Sequence, residues 1–300
     1  MDWQNCCLLF GAAVLGGAIN AVAGGGTLLT FPALLWAHQL EIVANATSTV
    51  ALWPGALSSF WTYRTELQSS RRELLVLAIP SFAGGVLGAV LLLRTANATF
   101  ATIVPYLILL ATLLFILQAP LARWQSRRAA LAAERGCEKM GTGSEPPCAN
   151  PGKSASGEAP VPIGSEPAAA LQRGNAAVPA RWAAVLLFQF AVGVYGGYFG
   201  AGIGILMVAA FGYLGFTNIH HINALKNLNA MCINGIAAAL FIGKGLVDWR
   251  LALLMAAGAI FGGCAGAGTA RRLGQTMVRR LIILIGFALS IWLLLRQMAP

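Results

Sequence analysis

Eight apolar stretches, each close to the roughly 20 residues that carry a helix across a bilayer, leave this sequence few folds to choose from. They lie near 7–24, 43–62, 74–93, 100–119, 182–199, 221–243, 249–269 and 278–297. Only 10% of the 300 residues are charged, against about a quarter in soluble domains, which is too few to coat a water-facing surface. The expected fold is an all-α membrane protein with eight transmembrane helices. The opening Met1-Asp2-Trp3-Gln4-Asn5 has no basic residue ahead of the first apolar stretch, so that stretch reads as a retained span and not as a signal peptide.

Charge is scarce but one-sided. The net charge of +10 comes from Lys and Arg placed between the spans, where positive-inside retention explains them without a nucleic-acid partner. Eight complete spans put fourteen of these residues on one side: Arg64, Arg71, Arg72, eight between 123 and 181, Lys244, Arg250 and Arg296. Five fall on the other: Arg94, Arg271, Arg272, Arg279 and Arg280. That bias places both termini and the central linker in the cytoplasm of a cell (inner) membrane protein, with the 271–280 cluster pulling the other way. The six cysteines have no metal-ligand or disulfide spacing and read as small packing residues.

The chain divides into a first transmembrane repeat (1–120), a flexible cytoplasmic linker (121–180) and a second repeat (181–300). From Glu134 to Pro179 the composition is Gly, Pro, Ser, Ala and Glu with almost no large apolar residues, so burial cannot offset the entropy of ordering it. Each flanking half has four apolar segments, and the halves share landmarks. Asn45, Ser48 and Thr49 have the spacing i, i+3, i+4, and Asn223, Lys226 and Asn227 repeat it 178 residues later. Residues so spaced share a helix face, giving each half a narrow polar stripe. Glycine runs precede both stripes, Gly24-Gly25-Gly26 and Gly200-Ala201-Gly202-Ile203-Gly204. Eight complete spans make the halves parallel, whereas re-entry after Gly26 and Gly202 inverts them; the sequence leaves both open.

Three consecutive glycines suit a plain helix poorly, since each costs about 1 kcal/mol relative to Ala. A broken helix fits better, and inside a bilayer open backbone is tolerated only within protein or beside a wet cavity. The helix restarting after each run would point amide N–H groups and a partial positive charge at that cavity, which suits an anion. Packing is the competing explanation, and it is preferred for Gly84, Gly85, Gly88, Gly262, Gly263, Gly266 and Gly268, which follow small-residue spacing. Lys226, a cation within an apolar segment, costs at least about 2.5 kcal/mol unless compensated or snorkelling to the surface. The candidate substrate-binding set is Gly24, Gly25, Gly26, Thr27, Asn45, Thr47, Ser48, Thr49, Gly200, Gly202, Gly204, Asn223, Lys226 and Asn227. For the Asn, Ser and Thr members, interhelical hydrogen bonding is the alternative role.

Other chemistries lack their residues. His220-His221 has no third ligand at a matching spacing, so no metal site is expected, although either His could carry a proton. No cofactor is implied, and the glycine runs lack the Lys-Ser or Lys-Thr of a nucleotide-binding loop. No His, Cys and carboxylate constellation suggests an enzyme.

The run Gly24-Gly25-Gly26-Thr27-Leu28-Leu29-Thr30-Phe31-Pro32 followed by Ala44-Asn45-Ala46-Thr47-Ser48-Thr49 resembles the first-half signature of the TauE/SafE family of sulfite and organosulfonate exporters. Gly197-Tyr198-Phe199-Gly200-Ala201-Gly202, Asn223-Ala224-Leu225-Lys226-Asn227 and Gly245-Leu246-Val247-Asp248-Trp249 are similar to its C-terminal repeat. The resemblance implies a multi-span secondary transporter of small sulfur-containing anions. Two departures stand out: a longer linker, and Gly-Ala-Gly in place of a second glycine triplet. The expectation is an exporter of sulfite, a sulfonate or a related oxyanion by alternating access, with an anion channel or a non-transport membrane enzyme or assembly factor as alternatives. The expected partners are that anion and the lipid bilayer.

Overall fold

The computed structural model describes residues 3–22, 24–63, 71–117, 177–214, 219–272 and 275–298. Among them there are ten helices and no strand. In the first half these are α1 (Trp3–Val22), α2 (Thr27–Trp36), α3 (Glu41–Tyr63), α4 (Arg71–Arg94) and α5 (Asn97–Leu117). In the second they are α6 (Ala177–Tyr198), α7 (Ile203–Leu214), α8 (Ile219–Gly243), α9 (Trp249–Arg272) and α10 (Gln275–Met298). Helix is what an apolar segment must form in lipid, because it satisfies every backbone group within itself. Leu74–Arg94, Asn97–Leu117 and His221–Gly243 are long and apolar enough to cross a membrane, and five shorter apolar helices accompany them. Each of the eight apolar stretches falls on a helix. Most of the expected linker, up to residue 176, lies outside the described residues.

Helix positions recur at one interval: 219 − 41, 249 − 71 and 275 − 97, the differences between the starts of α8 and α3, α9 and α4, and α10 and α5, are each 178. The packing exchanges partners between halves. The first helix of each half lies against the fourth element of the other, α1 on α9 and α6 on α4, while α3 and α8 meet in the middle. Small residues bring these pairs close. A Cβ on Gly84 or Gly88 would enter the backbone of α6 at Phe190 or Val194, and one on Gly262 would enter α1 at Val14. These are the packing glycines that the spacing predicts.

Residue pairs fix the helix directions. Ser81 meets Gln189 and Asn229, while Gly85 meets Ile233 further along, so α4, α6 and α8 run the same way. Thr47 meets Asp248 and Gly55 meets Ala259, which aligns α3 with α9; Gly258 and Gly262 meet Phe10 and Val14, which aligns α1 with them. The two sets are opposed: Thr47 lies by Asp248, beyond the end of α8, whereas Trp53 lies by Met231 near its middle. Likewise α10 runs against α5, with Gln297 on Ala101 and Gly286 beside Thr112.

α2 does not continue α1. Gly26 sits against Gly16 and Asn20, and Thr30 sits against Gly16, so the chain turns at the glycines and returns along α1. α7 packs back on α6 in the same manner. The first reversal sets α3 parallel to α1, and the second sets α8 parallel to α6. As a result α1 starts and α10 ends at one face of the bundle, while the described end of α5 and the start of α6 lie at the other. The expectation that the termini and the linker share a face assumed that α1 and α3 alternate; here the two run parallel, and the linker up to residue 176 is not among the described residues. The two faces are called here the terminal face and the linker face.

Candidate functional site

Each hairpin tip is built by glycines in conformations that other residues rarely adopt. Gly24, Gly200 and Gly202 have φ of 76°, 81° and 79°, the left-handed region in which a Cβ meets the following carbonyl. The first bonds that restart the helices are Leu28 N–H to Gly25 O at 3.1 Å and Ile205 N–H to Gly202 O at 3.1 Å. Gly24 N–H still bonds Ile19 O and Asn20 O of α1, and Gly200 N–H bonds Tyr195 O of α6, so the helical ladder ends there before each restart, and Gly26 at the head of α2 offers no capping side chain.

The two tips meet. A Cβ on Gly24 would stand 2.8 Å from Gly204 Cα and 3.1 Å from Gly204 N, and one on Gly25 would strike the Phe115 ring of α5. On the far side of the second tip, the nearest atoms to a Cβ on Gly202 belong to Ala111 and Leu114 of α5, at 3.7 Å. The leading turns of α2 and α7 therefore lie side by side in the bundle interior, with buried Thr27 opening α2. Two helix N-termini so placed form a region of positive potential without a charged side chain.

The polar stripe of α3 is buried against these tips. Asn45 Nδ2 donates to Tyr198 O at 3.0 Å, just ahead of the second break, while its Oδ1 has no partner among the described residues. Ser48 and Thr30 of α2 share a hydrogen bond of 2.6 Å, and Thr30 Oγ1 also donates to Gly26 O at 3.3 Å. Thr49 Oγ1 donates back to Asn45 O at 2.9 Å, within its own helix. Thr47 points elsewhere: its hydroxyl accepts from Asp248 N–H at 3.1 Å, and Asp248 in turn caps α9 through Arg250 N–H and Leu251 N–H.

On α8, which packs against α7, Lys226 is 1% exposed, so it does not reach solvent within the bundle. Asn227 is buried, with no hydrogen-bond partner for Nδ2 among the described residues, and Asn223 is half-buried. The described contacts tie Asn45, Ser48, Gly24 and Gly204 into one region; Lys226, Asn223 and Asn227 occupy the matching stripe of the other half.

Several polar contacts escape a reading of the stripe alone. Thr30 is one, and Tyr195, whose Oη donates to Ala201 O at 2.8 Å and braces the second tip, is another. A fully buried cluster joins three helices through Gln189 Nε2 to Ser81 Oγ and Ser81 Oγ to Asn229 Oδ1, both 2.8 Å. Only their rarity in apolar helices could have singled out Thr30, Tyr195, Gln189 and Ser81. Among the described residues no group of three His, Cys, Asp or Glu could hold a metal ion.

Residues 9–293 match the family described as sulfite exporter TauE/SafE. The chain belongs to this family. A "probable membrane transporter protein" of Haemophilus influenzae is 25% identical over 94% of this chain and 92% of its own length. "Probable membrane transporter protein ORF9" of Sinorhizobium sp is 27% identical over 95% and 91%, and "probable membrane transporter protein YfcA" of Escherichia coli K12 is 27% identical over 96% and 88%. No solved structure matches. The TauE/SafE match and these relatives make the chain an integral membrane transporter, and every helix of both halves falls wholly or largely within the matched span.

Proposed function

We propose that this TauE/SafE protein is a secondary transporter that moves a small oxyanion such as sulfite or a sulfonate out of the cell by alternating access. The observation that carries the proposal is the meeting of two half-helix N-termini at Gly24 and Gly204. Donors fixed in place, and fed by two helix dipoles, favour a negative solute over a cation. Lys226 and the Nδ2 group of Asn227 extend the donor set from α8, and Ser48, Thr49 and Asn45 line it from α3. Thr47, bonded to the α9 cap, acts by positioning α3.

The halves are read as inverted repeats of five helices, 1–120 and 181–300, each with a re-entrant second helix. Support comes from the 178-residue interval between elements that run in opposite directions, α3 against α8 and α5 against α10. Charge agrees with this arrangement. Among the described residues, Arg71, Arg72, Arg181, Arg271, Arg272, Arg279 and Arg280, seven in all, belong to helix ends at the linker face; four, Arg94, Lys244, Arg250 and Arg296, belong to the terminal face. The 271–280 cluster then joins the majority, and on the positive-inside rule we read the linker as cytoplasmic and the termini as outside the inner membrane.

Flux of sulfite and of several sulfonates in proteoliposomes tests the function, with wild type compared to Lys226→Ala and Lys226→Arg. The expected outcome is saturable flux, abolished in Lys226→Ala and partly kept in Lys226→Arg. Unchanged flux in both variants removes Lys226 from the site, and absence of any oxyanion flux from the folded wild type overturns the substrate class.

A further inference from the structure

Among the described residues, ring–ring contacts occur at one place only. Phe199 stands edge-on to Phe31 with centroids 5.5 Å apart, Phe100 meets Tyr198 at 5.7 Å, and Phe100 meets Phe199 at 6.5 Å. Phe31 belongs to α2, Phe100 to the first turn of α5, and Tyr198 and Phe199 to the end of α6, so the cluster joins both halves. The three phenylalanines are each at most 1% exposed. Their level is the terminal side of the tips, since Phe100 lies one turn from Asn97, which bonds Glu41 and Ile42 at the start of α3. Two polar contacts hold the cluster: Asn45 Nδ2 on Tyr198 O at 3.0 Å, and Tyr198 Oη donating to Thr95 Oγ1 at 3.5 Å.

The internal repeat gives a control within the same chain. At the 178-residue interval the position matching Phe100 is Val278; the ends of α1 and α6 and the starts of α2 and α7 are 176 residues apart (198 − 22 and 203 − 27), so Phe31 matches Met207, and Tyr198 and Phe199 match Val22 and Ala23. None is aromatic. Two identical inverted halves would close either face equally well; here one face has a ring cluster that the other lacks.

We infer that Phe31, Phe100, Tyr198 and Phe199 form the gate of the terminal face, latched by Asn45, and that the protein rests closed on that face and accessible from the linker face. The inference rests on the two-sided transport reading above. It gives Asn45 a positioning role: its amide nitrogen is committed to the latch while the gate is shut. It also gives the cycle an order, because a substrate loading from the linker face meets the tips before the rings part. Rings that pack on one another and not on a charged residue can separate without stranding a buried charge, as a gate in a low-dielectric core requires.

The test reads access without needing a substrate. In a variant lacking native cysteines, Ser48→Cys is the reporter beside the tips, and a membrane-impermeant thiosulfonate is applied to either face; Lys244→Cys, exposed near the terminal face, marks that face independently. With the rings intact, the reporter should react from the linker face and resist from the terminal face. Phe100→Ala with Phe199→Ala removes all three ring contacts and should raise the terminal-face rate about tenfold or more. Should this pair fail to fold, Phe100→Leu with Phe199→Leu keeps apolar bulk without rings, and the same increase is expected in weaker form. A reporter that already reacts from the terminal face, or a terminal-face rate unmoved in the folded ring variants, overturns the gate. Responding reporters in a protein without oxyanion flux would instead discard the substrate proposal and leave the gate standing.

Discussion

Three glycine-to-alanine substitutions separate the two physical reasons for a glycine at the tips. Gly202 has a left-handed φ of 79°, yet its added methyl would find its nearest neighbours at an ordinary 3.7 Å. Gly202→Ala therefore suffers conformational strain alone, about 1–2 kcal/mol. Gly26 has an ordinary φ of −56°, but a methyl there would enter the Gly16 carbonyl of α1, so Gly26→Ala suffers overpacking alone, about 1–3 kcal/mol. Gly24 combines both, with φ of 76° and a methyl 2.8 Å from the Gly204 backbone. Gly24→Ala should then lose roughly 2–5 kcal/mol, near the sum of the other two, because its two penalties act on different atoms. At roughly 2 °C per kcal/mol for a chain of this size, the midpoint in detergent should fall by about 4–10 °C, against about 2–4 °C for Gly202→Ala. Size-exclusion recovery after a heating series measures these midpoints on small amounts of protein. If Gly24→Ala melts within a degree or so of Gly202→Ala, the Gly204 backbone is not where the tips would place it, and the adjacent N-termini go with it.

Two further predictions use other parts of the bundle. Single cysteines at Arg94 and Lys244 should react with an impermeant thiol reagent from one side of the membrane and a cysteine at Arg279 from the other; reaction of all three from one side removes the inverted arrangement. Within the buried α4–α6–α8 cluster, Ser81→Ala strands Gln189 Nε2 and Asn229 Oδ1 and should destabilise by about 1–3 kcal/mol. Gln189→Leu takes away the oxygen of this cluster that has no partner among the described residues, so its midpoint should stay close to wild type; a larger loss than that of Ser81→Ala would show that Gln189 Oε1 is engaged.

What could be read from the sequence follows from which physical signals are local. Hydropathy and glycine runs are local, and the eight apolar stretches they mark each fall on one of the ten described helices, with breaks at both glycine runs and restarts after Gly26 and after Gly202, the earlier of the two positions that the second run offers. The i, i+3, i+4 stripe and the 178-residue interval are local as well, and α8, α9 and α10 begin at that interval after α3, α4 and α5. Direction is not local. An apolar rod has the same hydropathy whichever way it crosses, so counting spans set α3 against α1, and only the fold-back of α2 along Gly16 makes them parallel. One charge signal did bear on direction: Arg271, Arg272, Arg279 and Arg280 opposed the eight-span orientation and agree with the inverted one. A strong cluster on the wrong side of a positive-inside count is thus a reason to look for a re-entrant segment near a glycine run.

The pairing of polar side chains was less legible, and here the repeat itself shows why. Gln189, Ser81 and Asn229 come from three helices; the counterparts of Ser81 and Asn229 at the 178-residue interval are Ala259 and Ala51, and that of Gln189, at the 176 residues that separate the ends of α1 and α6, is Ala13. At that matching interface Ala259 lies instead against Gly17 and Gly55, which leaves backbone contact where the other interface has hydrogen bonds. One packing scheme therefore accepts either small apolar residues or a polar triad. The aromatic cluster on the terminal face departs from the symmetry in the same way. If equal halves would exchange the two access states at no net cost, then these unlike pairs are where the difference in energy between the states must arise. A bundle whose breaks obey the repeat while its ring cluster and triad do not has a symmetric scaffold for the site and an asymmetric preference for the face from which the site is reached.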